Sequence, residues 1–133
     1  MNESTAVSDK LEHYKRGHGH YGKSEYVEAI AAYRDALAID PDWADCVQAL
    51  GMAQMQKGDL DDALKTMLRA CELAPEDPFA FTSLSMIYVR REQIEEAEKA
   101  QATAKMLQWK EEVKTNPNAP PPHDGPFTGT GGG

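Results

Sequence analysis

The stretch EAIAAYRDALAIDPD, Glu28 to Asp42, returns 34 residues on as DALKTMLRACELAPE, Asp62 to Glu76. A degenerate third copy, EAEKAQATAKMLQWK, runs from Glu96 to Lys110. The same step carries Ala29 onto Ala63 and Ala97, Ala36 onto Ala70 and Ala104, Pro41 onto Pro75, and Gly17 onto Gly51. A period of this length marks a helix–turn–helix array. One such repeat cannot bury its apolar face alone, so the copies must stack.

Capping and breaker residues place the helices. Residues 1–9 are polar and read as a flexible N-terminus. Ser8 or Asp9 is the expected cap of a first helix from about Lys10 to Tyr21, weakened by Gly17 and Gly19. Ser24 is expected to open the second, which ends at Ile39 before Asp40-Pro41. Its buried stripe is Tyr26, Ala29, Ile30, Tyr33, Ala36 and Leu37. Asp42 is the expected cap of a third helix, Trp43 to Lys57, and Gly58 its left-handed stop. The fourth spans Leu60 to Leu73. Pro78 sits in the first turn of a fifth that reaches about Arg90. Trp109 stands where the earlier copies have proline, so the sixth is expected to run on from about Gln93 to Lys114. Residues 115–133 are Pro-rich and then Gly-rich and read as a disordered tail, with local polyproline II around Pro120 to Pro122.

Charge and composition narrow the function. A net charge of −8 disfavours nucleic acid, which is bound through a basic surface, and disfavours anionic membranes likewise. No apolar run has the length of a membrane span. The N-terminus lacks the basic start and apolar core of a secretory signal, and the two cysteines, Cys46 and Cys71, form no disulfide framework. A cytoplasmic chain with reduced, half-buried thiols is the expectation.

The repeated residues resemble the tetratricopeptide repeat family. Its pattern asks for a large residue, Leu-Gly and Tyr in the first helix, then Ala, an aromatic and Pro in the second. The second copy supplies Val47, Leu50-Gly51, Gln54, Ala63, Met67 and Pro75. The third supplies Phe81, Leu84-Ser85, Tyr88, Ala97 and Gln101. The first supplies Gly17, Ala29, Tyr33 and Pro41, but places His13, Arg16 and His20 where large apolar residues are usual. The resemblance implies an all-α fold, a right-handed superhelical stack of three antiparallel helix pairs. Repeats would cover about 10–43, 44–77 and 78–114. The first helix of each pair would line a concave groove for a peptide or partner helix.

The groove implied by the family takes Leu11, Tyr14, His18 and Tyr21 from the first copy. Asp45, Gln48, Met52 and Met55 come from the second, and Phe79, Thr82, Met86, Val89 and Arg90 from the third. The set is rich in aromatic and Met side chains, which suit an apolar partner. Relatives that hold a heat-shock chaperone's C-terminal carboxylate use a clamp of Lys, Asn and Arg. The matching places here read Tyr14, His18, Ala49, Phe79 and Ser83, which argues against that ligand. His13 and His20 share a helix face, but His18 points about 160° away from His20, so no metal site is expected. No cofactor is expected either. GHGHYG follows no strand and is no phosphate loop. No nucleophile is paired with a base, so no catalytic residues are assigned. The expected function is a protein–protein adaptor. The alternative is a homo-oligomeric structural subunit joined through repeat edges or the convex face.

Overall fold

A computed structural model describes residues 3–122 of the chain. Six helices follow in order: α1 (Glu3–Gly22), α2 (Tyr26–Ile39), α3 (Ala44–Lys57), α4 (Leu60–Leu73), α5 (Pro78–Arg90) and α6 (Ile94–Glu112). No strand occurs among the described residues. The chain forms two compact units, Met1–Leu73 with α1 to α4 and Ala74–Gly133 with α5 and α6. In the first, α1 packs on α2, α2 on α3, and α3 on α4; in the second, α5 packs on α6.

The 34-residue register is visible in each helix pair. Ala29, Ala63 and Ala97 are all buried. On the first helix of each pair Gly17, Gly51 and Ser85 stand one step apart. An added Cβ on Gly17 would lie 2.4 Å from the Tyr33 ring, and one on Gly51 would lie 2.9 Å from the Met67 methyl. A side chain on the second helix thus fills a hollow left on the first. In the third pair the hollow is gone, and Ser85 Oγ instead donates to the Ala97 carbonyl at 3.0 Å.

The turns inside the pairs repeat as well. Glu25, Asp59 and Gln93 donate their N–H groups to the carbonyls of His20, Gln54 and Tyr88, five residues back in each case. This is the bond of a Schellman stop, which needs a left-handed residue just before the donor. Gly58 meets that need at φ 98°, while Ser24 and Glu92 adopt φ 61° and 63° at the equivalent places. Ser24 is therefore a strained turn residue, not the cap of α2. Asp40-Pro41 and Ala74-Pro75 open the turns between pairs, closed by Trp43 N–H to Asp40 and Asp77 N–H to Ala74.

Other expectations are corrected. Helix α1 begins at Glu3, so the N-terminal stretch is helical and Ser8 and Asp9 lie inside the helix. Its added turns reach the end of α2, where Ala6, Val7 and Lys10 line a hollow with Ile39 and Asp40. Asp42 does not cap α3. The position before α3 belongs to Trp43, and Asp42 pairs with Arg69 instead. The equivalent place before α5 is Asp77, whose side chain accepts from the Phe79 N–H at 2.9 Å. Helix α6 outruns α4 in the repeat register but ends at Glu112. Nor is the start of the tail shapeless: Ala119 is buried and its carbonyl accepts from Trp109 Nε1. The rest, residues 123–133, lies outside the described residues.

Candidate functional site

In the first unit several polar residues of α1 have partners. Lys10 pairs with Asp40 at 2.6 Å, Arg16 with Asp35 at 2.9 Å, and His20 with Glu25 at 2.8 Å. Arg16 also donates to His13 Nδ1 at 2.7 Å. Two of these ion pairs tie α1 to α2, Arg16–Asp35 within the helix and Lys10–Asp40 at its C-terminal end. Arg16, like His13 and His20, stands where the family pattern would place an apolar side chain. Partly exposed pairs contribute little each; the burial falls to an apolar core that holds an aromatic cluster.

That cluster centres on Tyr33 of α2, which is 1% exposed. It fits against α1 because Gly17 has no side chain. Its hydroxyl shares a hydrogen bond of 2.7 Å with His18 Nδ1. Tyr14 lies with its ring centroid 4.2 Å from His18 and 4.5 Å from Trp43, and Lys10 Nζ sits 4.9 Å from the Trp43 ring. Burial, with the Asp45 carboxylate second, raises the Tyr14 pKa. Burial also pushes Tyr33 well above the ordinary tyrosine value. Both hydroxyls are therefore neutral at ordinary pH.

Beside the cluster is a recess of about 210 Å³ lined by His18, Tyr21, Tyr33, Ala49 and Met52. Three of these are sequence candidates that α1 and α3 bring together. Tyr33 and Ala49 were missed as lining. Tyr33 reads as core from its period, and Ala49 is conspicuous only for leaving a hollow. Leu11 is exposed, and Tyr14 and Gln48 are half-buried. Met55 is 1% exposed and belongs to the core, not to any surface. Helix α3 has α2 on one side and α4 on the other, so its exposed stripe is narrower than helical period alone allots.

In the second unit, α5 carries an exposed apolar stripe. Phe79, Met86 and Val89 are 70%, 43% and 52% exposed. Thr82 lies between them, half-buried, its hydroxyl donating to the Pro78 carbonyl at 3.0 Å. Arg90 closes the stripe at the end of the helix.

Among the described residues no group of His, Cys, Asp and Glu could hold a metal ion. The three candidate histidines go to separate partners, Arg16, Tyr33 and Glu25. Cys46 and Cys71 are both buried and unbridged. No helix among the described residues is long and apolar enough to cross a membrane.

Helix pairs closed by Gly17 on Tyr33 and Gly51 on Met67, in one 34-residue register, are the geometry of a known repeat, and the family model "Tetratricopeptide repeat" matches residues 21–85. The chain is a tetratricopeptide repeat protein over this segment. Mouse superkiller complex protein 3 is 28% identical over 85 residues, 64% of this chain and 5% of that protein. The photosystem I assembly protein Ycf3 of Prochlorococcus marinus (strain MIT 9211) is 26% identical over 82 residues, 59% of this chain. The chain spans 47% of that relative's length. The second tetratricopeptide repeat domain of Spaghetti (RPAP3), solved bound to the HSP90 peptide SRMEEVD, superposes with a TM-score of 0.71. It is 22% identical, and the match covers 74% of this chain and 92% of that one.

Proposed function

We propose that this tetratricopeptide repeat chain is a protein-binding adaptor whose first unit anchors an apolar side chain of a partner peptide or helix. The observation that carries this reading is the recess walled by Tyr21, Tyr33, Ala49 and Met52, with His18 at its side. Its walls are aromatic or apolar, and Met52 adapts its shape to varied ligands. Tyr14 lies beside His18 and Gln48 adjoins Ala49. Leu11 is exposed on α1, and in the second unit the α5 stripe from Phe79 through Thr82 and Met86 to Val89 and Arg90 is an apolar surface of its own. The solved relative's HSP90 peptide is rich in carboxylates, yet this chain has Tyr14, His18, Ala49, Phe79 and Ser83 at the clamp positions. An apolar partner fits better than a chaperone tail. The net charge of −8 weighs against nucleic acid and anionic membrane partners. Two unbridged cysteines support a reducing, cytoplasmic setting.

The test is a peptide selection on the intact chain, followed by titration of the selected peptide with methionine methyl groups observed by NMR. The Met52 methyl should respond. Met52→Ala should weaken the complex by about 2 kcal/mol, roughly thirtyfold, as for a buried anchor, with helicity unchanged. Lys99→Glu, at an exposed position on α6 of the other unit, should change little. If the affinity is indifferent to Met52→Ala, the recess is not the site. One observation favours the self-assembling alternative: Val7 and Leu11 are 49% and 39% exposed near the hollow formed with Ile39. Sedimentation velocity over a wide concentration range separates the two readings.

A further inference from the structure

The third repeat ends unlike the first two. After α2 and α4 the chain turns at once through Asp40-Pro41 and Ala74-Pro75. Helix α6 carries Trp109 in that register, so the same kind of turn is deferred to Asn116-Pro117. There the Ala119 N–H donates to the Asn116 carbonyl at 3.0 Å. Asn first and Pro second is the composition such a turn favours. The turn brings the following segment back onto the end of α6. Ala119 is 6% exposed, and its carbonyl accepts from Trp109 Nε1–H at 2.9 Å. Pro120 and Pro121 stand in solvent and Pro122 is half-buried.

The chemistry of this contact is specific. Each proline fixes its own φ and drives the residue before it to extended geometry, so Ala119 to Pro121 are preset toward polyproline II. That conformation makes no internal hydrogen bonds, so its carbonyls are open acceptors. An aromatic surface with a donor aimed at such a carbonyl is how proline-rich segments are recognised. A half-buried indole N–H also needs an acceptor, and α6, whose carbonyls are turned along its own axis, offers it none. The seat is small: one hydrogen bond and one buried methyl group. What keeps it filled is the tether of ten residues from Trp109 to Ala119, equivalent to a local concentration on the order of millimolar.

We propose that the Trp109 end of α6 is a docking site for a proline-rich segment, that residues 116–122 are its resident ligand in cis, and that a partner's proline-rich segment exchanges with them. The site shares no residue with the recess on α1 to α3 and stands or falls independently of it. The chain would thus carry its own competitor, and only a partner whose proline run outmatches the tethered strap would open it.

The test uses the full chain, with the Trp109 indole N–H followed by NMR and assigned through Trp109→Phe. The other tryptophan, Trp43, reports on the fold. In a variant with Pro120→Ser, Pro121→Ser and Pro122→Ser, the Trp109 indole should shift and exchange faster with water while Trp43 stays put. A peptide of sequence NPNAPPP should then return the Trp109 signal to its native position, at a concentration at least tenfold below that needed to perturb the wild type. A peptide with serine in place of every proline should not. An unchanged Trp109 signal in the variant would mean that the prolines are not what is recognised. A freed Trp109 that ignores the peptide, or accepts the serine peptide equally, would overturn the proposal. A Trp43 signal that moves with it would do so too, because the strap would then be part of the fold and not an exchangeable ligand.

Discussion

Replacing Gly17 by Ala should destabilise the protein, although Ala is the better helix former. An ideal Cβ at Gly17 falls 2.4, 2.6 and 3.0 Å from three carbons of the Tyr33 ring. Carbon atoms rest at about 3.5–4.0 Å, so the ring would have to retreat by roughly 1 Å. It has nowhere to go. Tyr33 is 1% exposed, flanked by Tyr14 and His18, and tied to His18 through its hydroxyl. Overpacking a rigid group costs up to about 3 kcal/mol, against about 1 kcal/mol gained in helix propensity. The net loss is about 2 kcal/mol, or roughly 8 °C in melting temperature. Gly51→Ala is the internal control. There the near atom is the Met67 methyl at 2.9 Å, the tip of a flexible side chain, and the next lies at 3.5 Å. The two terms nearly cancel. Gly19→Ala meets nothing within 4 Å and should stabilise by up to about 1 kcal/mol. Thermal and urea unfolding followed by circular dichroism should therefore rank Gly19→Ala highest, Gly51→Ala near the wild type and Gly17→Ala lowest. Adding Tyr33→Leu to Gly17→Ala should cost clearly less than it does alone, since the two changes share one contact. A Gly17→Ala protein as stable as the wild type would refute the argument that this close approach holds α1 to α2.

Glu92→Gly should stabilise by about 0.5–1 kcal/mol, because Glu92 holds φ 63° and glycine takes that conformation without the side-chain penalty; an unchanged urea midpoint would show that the turn carries no such strain. Stability should fall above pH 9. Burial, and second the Asp40 charge, push the Cys46 thiol from 9.0 up to about 12. The unfolded chain therefore loses that proton first, and unfolding is favoured as pH rises through the window between the two values. The cost is at most about 1.4 kcal/mol per pH unit for this one group. Cys46→Ala should flatten the slope measured from pH 9 to 10.5, and parallel slopes would remove the thiol from the account.

Much of the fold was legible because a repeat states its rule three times. The step of 34 placed Ala29, Ala63 and Ala97 at helix contacts, stopped α3 at Gly58 and started α5 at Pro78, all from residues whose preferences are local. Other features depended on what lies opposite in space. Ser24 and Glu92 take left-handed backbone that neither residue favours, because the bonds from Glu25 and Gln93 to His20 and Tyr88 require it. Asp42 reads as a cap, yet Trp43 takes the capping place and leaves Asp42 to Arg69. Met55 reads as groove lining, yet α3 has neighbours on two sides and buries it. The recess exists only because Ala49 and Met52 of α3 come to lie beside Tyr33 of α2 and the end of α1, and Ala49 is small. Trp109 announces only a missing proline; that its indole finds the Ala119 carbonyl follows from a turn at Asn116-Pro117. Period and propensity are set by near neighbours along the chain and can be read from it. A hollow, a buried acceptor or a strained turn is set by atoms distant in sequence, and only the packed structure decides them.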